Sequence, residues 1–166
     1  MDDLLYGHDS CERIVSVQHK DDRTMRLYFR DGAGVRTEEA RFYPFFFLAD
    51  RRFLDGFPRK HWIKKLDGVL FYQYLCAFEE WDALWDAVRH VLERYNSSAL
   101  LKAGSYSQLD ILYLHTDPVA QYLLQSGRTL FKGMVFDDIH RLQLDIETYT
   151  SPPYRFSNAQ RPGDRI

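Results

Sequence analysis

Apolar and polar residues alternate near the start of the chain, in Arg13-Ile14-Val15-Ser16-Val17-Gln18 and again in Thr24-Met25-Arg26-Leu27-Tyr28-Phe29-Arg30. A period of two predicts strands buried on one face. Asp31-Gly32 predicts a tight turn, and residues 35–41 the return strand of a hairpin. Phe42-Tyr43-Pro44-Phe45-Phe46-Phe47-Leu48 is a continuous apolar run. It predicts a strand covered on both faces, with a break or an edge position at Pro44. Residues 49–54 are expected to form a short helix. Residues 61–66 and 70–78 are expected to form a second hairpin around Asp67-Gly68.

The period then changes. Trp81, Leu84, Trp85, Val88, Val91, Leu92 and Tyr95 form one stripe at helical spacing, which predicts a helix over 79–95. Glu79 and Glu80 suit the positive end of its dipole and Arg94 the negative end, and Asn96-Ser97-Ser98 is expected to end it. Residues 111–114 predict a short strand. Asp117 then reads as an N-cap, Pro118 as the first helical residue and Gly127 as the C-terminal stop of a second helix. The last predicted strand is 141–147. The tail from Thr148 holds Pro152, Pro153 and Pro162 and no periodicity.

Composition narrows the function classes. The 166 residues suit one domain, or one domain and part of another, and 45% apolar content supports a sizeable core. A net charge of −2 argues against a generally basic nucleic-acid coat, so any such contact has to be local or helped by metal ions. Arg51-Arg52, Arg59-Lys60 and Lys64-Lys65 make one locally basic stretch, read first as solvated surface. Cys11 and Cys76 lack a redox or zinc spacing and read as reduced thiols of a cytosolic protein. No apolar run approaches the length of a membrane span, and the acidic start lacks a signal-peptide core. The six histidines have no metal-ligand spacing, and the serines have no nucleophile elbow.

The candidate chemistry lies in Leu144-Asp145-Ile146-Glu147-Thr148. On a strand, Asp145 and Glu147 share one face, while Leu142, Leu144 and Ile146 share the other. Two carboxylates side by side suit Mg²⁺ or Mn²⁺. Acid pairs at this spacing also occur on ordinary half-exposed strands, so the pair gains meaning only from its context. The aromatic run at 42–47 reads mainly as core, with Tyr43 or Phe45 as the residue left to stack on an unpaired base.

The context is a resemblance. Thr129-Leu130-Phe131-Lys132-Gly133-Met134, followed by Asp137-Asp138-Ile139-His140-Arg141-Leu142-Gln143-Leu144-Asp145-Ile146-Glu147-Thr148, resembles the entry to the proofreading exonuclease of family B DNA polymerases. That family's first exonuclease motif is Asp-Ile-Glu-Thr, on the first strand of an RNase H-like fold. The Pro44 aromatic run, the helix from Trp81 to Tyr95 and Asp117-Pro118-Val119-Ala120-Gln121-Tyr122-Leu123-Leu124 follow in the family's N-terminal order. The tail from Arg155-Phe156 to Pro162-Gly163-Asp164-Arg165-Ile166 is similar to the loop into the second exonuclease strand.

The resemblance implies that Asp145 and Glu147 are catalytic metal ligands and that Thr148 lies near a primer 3′ end. A complete site of this kind holds two Mg²⁺ or Mn²⁺ ions, which activate water and stabilise the leaving oxygen in 3′→5′ hydrolysis. The family's further exonuclease acids and its palm acids are not found after Thr148, so an N-terminal piece of a longer chain, itself inactive, is expected. Archaeal members read uracil through an aromatic residue after the proline of the outgoing helix and a nearby arginine. Val119 and Gln121-Tyr122 stand at those places here, so the resemblance does not extend to uracil reading.

The expected fold is therefore α+β. Residues 1–138 form a mixed-sheet N-terminal domain with a few helices, and residues 139–166 begin an RNase H-like exonuclease domain. Expected partners are DNA, as single-stranded template or primer 3′ end, and the remainder of a polymerase chain. No membrane is expected among them, and the expected location is cytoplasmic. The alternative is a non-catalytic module that binds single-stranded DNA or a protein.

Overall fold

In the computed structural model, which describes residues 7–164, the alternation at Met25, Leu27 and Phe29 becomes β2 (Thr24–Asp31) with those three side chains buried. β1 (Ile14–Asp21) pairs antiparallel with it, and β3 (Gly34–Arg41) pairs on its other side. In β1 the alternation is interrupted. A register shift between Ile14 and Ser16 brings Ile14 and Val17 into the same core although they are three residues apart. β3 is a polar edge, with Glu39 receiving Lys20 at 2.6 Å and Arg26 at 3.1 Å.

The aromatic run does not form one strand. Phe42 is buried with Ile14, Met25 and Phe29 in the core of this first sheet. Pro44 then changes the direction of burial, and β4 (Phe45–Leu48) enters a second sheet with Phe46 and Leu48 in a separate core. Pro44 has no N–H to donate, but its carbonyl still accepts from the Phe78 N–H at 2.8 Å. The second sheet has the order β5-β6-β4-β7, where β5 is His61–Lys65, β6 is Tyr74–Phe78 and β7 is Leu112–Tyr113, all pairs being antiparallel. β6 is shorter than the expected 70–78, because Val69, Leu70 and Phe71 lie exposed in the loop before it.

The predicted stripe forms α1 (Trp81–Ser98). Leu84, Ala87, Val88 and Val91 face Phe46, Leu48, Cys76, Phe78 and Leu112 and cover one side of the second sheet. The helix continues past Asn96 because the Ser97 and Ser98 hydroxyls donate to the carbonyls of Arg94 and Tyr95 and so tolerate helical backbone. The expected helix at 49–54 is a single 3₁₀ turn over Arg51–Leu54, opened by Asp50 accepting from the Arg52 N–H at 3.0 Å.

α2 (Pro118–Ser126) has the expected ends. Asp117 accepts from the Val119 N–H at 2.9 Å, and Gly127 closes the helix at φ +67°. Tyr122 packs into the first core with Val119 and Leu123 at its margin. The chain leaving α2 returns to β1, where the Phe131 N–H donates to Ile14 and the Arg13 N–H to Lys132, both at 2.8 Å.

Two thiols report on this packing. Cys76 is fully buried in the second core, and burial pushes its thiol up to about 12, whereas Cys11 is partly exposed. A chromogenic disulfide reagent at pH 8 is therefore expected to titrate Cys11 in the native protein and Cys76 only after denaturation. Equal reaction rates for both thiols would contradict the buried position of β6.

The chain divides into two compact units after Gly133. Among the described residues of the second, 134–164, there is a 3₁₀ turn over Phe136–Asp138 and no strand beyond an isolated bridge. Its last loop is closed by Asp164, which accepts from the Ser151 N–H at 2.9 Å, the Ser151 hydroxyl at 2.7 Å, the Asn158 N–H at 2.8 Å and Arg161 at 2.8 Å. These donors, the Ser151 backbone first, hold the Asp164 carboxyl below the usual range. The strand expected at 141–147 is not formed. Alternation supplies a strand with two distinct faces, but a ladder also needs a neighbouring strand, and none pairs with this segment among the described residues. Over the described residues the architecture is thus α+β, with two antiparallel sheets and two α-helices. No helix among them is long and apolar enough to cross a membrane.

Candidate functional site

Asp145, Glu147 and Thr148 lie on an exposed segment with no regular secondary structure. The apolar side chains that alternate with the acids are exposed as well, Leu142 at 90%, Leu144 at 76% and Ile146 at 63%. Upstream, the Arg141 guanidinium stands over the Phe136 ring at 4.4 Å. No group of three or more His, Cys, Asp or Glu side chains among the described residues is arranged to hold a metal ion. A hard divalent cation takes six or more oxygen ligands. Two solvated carboxylates on an unpaired segment supply part of such a shell, so the described residues do not by themselves fit the two-ion site, and no hydrolytic step is assigned to them.

The aromatic candidates separate. Phe45 is only 6% exposed, its ring lies 5.5 Å from Phe47 and its N–H is held by Gln121, so it offers no free face to a base. Tyr43 is exposed and meets Trp62 edge to face at 5.6 Å. Arg41 stands over the Tyr43 ring at 5.1 Å and Lys60 over the Trp62 ring at 5.2 Å. Trp62 was not among the residues expected from sequence. Its signal was the alternation within β5. His61 packs against Phe57 and Phe78 in the core, so Trp62 and Lys64 have to face the other way.

The basic stretch also divides. Arg52 is paired with Asp50 at 2.5 Å, and Arg59 is held by Glu80 at 2.6 Å and by Asp86. Arg59 beside it keeps the Asp86 carboxyl below the usual range. Arg41 and Lys60 share Glu79 at 3.9 and 3.7 Å. Lys64 and Lys65 have no ion pair among the described residues, which leaves the outer edge of β5 as the basic end of this surface.

α2 fixes the aromatic segment in place. The Gln121 side chain is fully buried. Its Oε1 accepts from the Phe45 N–H at 2.8 Å and its Nε2 donates to the His115 carbonyl at 2.6 Å. One turn later Gln125 brackets Tyr43, donating to its carbonyl at 2.9 Å and accepting from its N–H at 3.4 Å. Two amide side chains thus bond the backbone of Tyr43, which lies between the two sheets, and of Phe45, where β4 begins. No protein-family model, curated protein or solved structure matches the chain.

Proposed function

We propose that the chain is the N-terminal portion of a protein of the family B DNA polymerase type, in which residues up to Gly133 handle DNA and Asp145 and Glu147 belong to the 3′→5′ exonuclease. The observation that carries this reading is the Leu142 to Thr148 segment. It combines the Asp-Ile-Glu-Thr motif with an apolar face that is exposed among the described residues. An alternating strand with an uncovered apolar face is what the first strand of an RNase H-like sheet would be without its neighbours. In this reading the missing ligands for Mg²⁺ or Mn²⁺ come from elsewhere in the complete protein, and the cytoplasmic location is the one expected from the two unpaired thiols.

Two expectations test it. The 166-residue chain is expected to leave a 3′-labelled oligonucleotide intact in Mg²⁺ or Mn²⁺, because two carboxylates do not complete a site. Digestion that Asp145→Ala abolishes in this chain would show that they do. The product of the intact gene is expected to shorten the same oligonucleotide. Asp145→Ala and Glu147→Ala should each lower that rate by roughly a hundredfold or more, as loss of a metal ligand does. Undiminished digestion in both variants would overturn the assignment.

A further inference from the structure

The second sheet is covered by α1 on one face, while its other face is lined with aromatic rings. The register puts Trp62, Ala77 and Phe45 in one row across β5, β6 and β4, and Lys64, Leu75, Phe47 and Tyr113 in the next row, which reaches β7. Side chains two apart on a strand share a face, so both rows look away from α1. At the β5 end Trp62 and Tyr43 are exposed beside Arg41 and Lys60. At the β7 end the rings continue, with Tyr113 6.3 Å from Phe47 and 5.8 Å from Tyr72, and Tyr72 5.1 Å from Phe71. Phe47, Leu66, Leu70, Phe71, Tyr72 and Tyr113 line an open groove of about 380 Å³. The Tyr72 hydroxyl donates to the Asp110 carbonyl at 3.0 Å, which steadies that ring.

We propose that this face is a stacking platform for unpaired bases of single-stranded DNA, with Trp62 and Tyr113 as its ring contacts and Lys64 holding a backbone phosphate. The proposal rests on the DNA-handling role given above to the unit that ends at Gly133. Charge selects the occupant. Cations gather along one edge, at Arg41, Lys60 and Lys64, with Glu79 offsetting part of them, and the uncharged Leu75, Phe47 and Tyr113 continue the row that Lys64 begins. A strand of nucleic acid presents the same division, with its phosphates on one side and its π-faces on the other. Duplex DNA keeps its bases stacked inward and cannot use the rings, so the platform discriminates in favour of single strands. Phe45 in the first row is closed, so the open length runs from Trp62 along the second row past Phe47 to Tyr113 and suits about two or three bases, the number that an open four-stranded sheet commonly stacks.

The test is fluorescence anisotropy of a labelled oligothymidine of about twenty nucleotides, titrated with the 166-residue chain, with a duplex and an RNA strand of matched sequence as competitors. Trp62→Ala and Tyr113→Ala are each expected to weaken binding about tenfold or more, since one base stacked on one ring is worth about 1–3 kcal/mol. Lys64→Glu should weaken binding at low salt and flatten its dependence on salt. Both rings are exposed, so thermal melting of the variants should match the parent chain. Tyr113→Phe keeps the π-face and should retain the affinity.

Binding that both ring substitutions leave unchanged would overturn the platform, as would an absence of oligothymidine binding. An RNA strand that displaces the DNA at tenfold lower concentration would overturn the choice of DNA. The exonuclease assay on the intact gene product is independent of these readouts. A failed platform with Asp145-dependent digestion refutes this inference alone, and a working platform without digestion refutes only the polymerase reading.

Discussion

Phe46→Ala is expected to lose about 3–5 kcal/mol of unfolding free energy. The ring is fully buried at the centre of the second core, 5.0 Å from Phe78, with the apolar stripe of α1 packed on the same cluster. Truncation removes the transfer free energy of the ring and leaves a cavity between a sheet and a helix that cannot both move inward. A domain of this size has about 5–15 kcal/mol in total, so the variant should sit close to its unfolding transition at 25 °C. Urea denaturation followed by circular dichroism at helical wavelengths measures this. Tyr113→Ala, on the other face of the same sheet, supplies the contrast, because its ring is exposed and its loss should move the midpoint little. Comparable losses from the two substitutions would mean that the faces of the sheet have been assigned the wrong way round.

The second large effect is expected at Gln121. Leucine fills a similar volume, but it leaves the Phe45 N–H without its partner in a buried place and removes the part-buried bond to the His115 carbonyl. An unsatisfied buried group costs about 1–3 kcal/mol, so Gln121→Leu should lose about that much in spite of its greater hydrophobicity. Gln121→Glu separates hydrogen bonding from volume. The ionised carboxylate can accept from Phe45 but cannot donate to His115, whereas the protonated acid can do both. Burial raises the pKa of such a carboxyl in the folded state. Its contribution is then fully present below the unfolded value near 4.3 and is lost as pH rises through the folded value. The deficit of Gln121→Glu should accordingly shrink on acidification, while that of Gln121→Leu stays constant. A stabilised Gln121→Leu would show that the two bonds contribute nothing net. Because Gln125 holds Tyr43 one turn away, the Gln121 variants should also disturb the environment of the Tyr43 and Trp62 rings.

The elements read correctly from sequence are those whose information is local. β2 follows from alternation alone, α1 from a stripe at 81, 84, 85, 88, 91, 92 and 95, and α2 from Asp117, Pro118 and Gly127 at its ends. The departures arise where a partner decides the outcome. Phe42 and Phe46 look alike in sequence, yet they enter different cores because Pro44 separates two sheets. Leu70 and Phe71 continue an apolar run and still lie in a loop, since β5 ends at Lys65 and offers them no ladder. Leu142 to Glu147 has a strand's pattern without a strand's neighbour.

The candidate site divides along the same line. The acid pair was readable as a motif, but its ligand set was not, because a metal site is assembled from segments distant in sequence. Tyr43 and Phe45 were equal candidates for an exposed ring in the sequence, and they separate only once Gln121 and Phe47 are seen to enclose Phe45. Trp62 was hidden in a stretch that reads as basic. Only its register against Ala77, with His61 turned into the core, shows that it shares a face with Phe47 and Tyr113.

The central claim is that Asp145 and Glu147 are the first two ligands of a polymerase-type exonuclease. The measurement that bears on it most directly is to read the coding sequence beyond the codon for Ile166. An Asp-bearing second motif is expected there, then a Tyr-x-x-x-Asp motif, and beyond them the Asp-Thr-Asp of a polymerase palm. Exonuclease acids without the palm would leave Asp145 and Glu147 as ligands and remove the polymerase. An immediate stop codon, or a continuation with neither set of acids, would contradict the claim and leave the unit that ends at Gly133 as a binding module whose neighbouring acid pair has no catalytic partners.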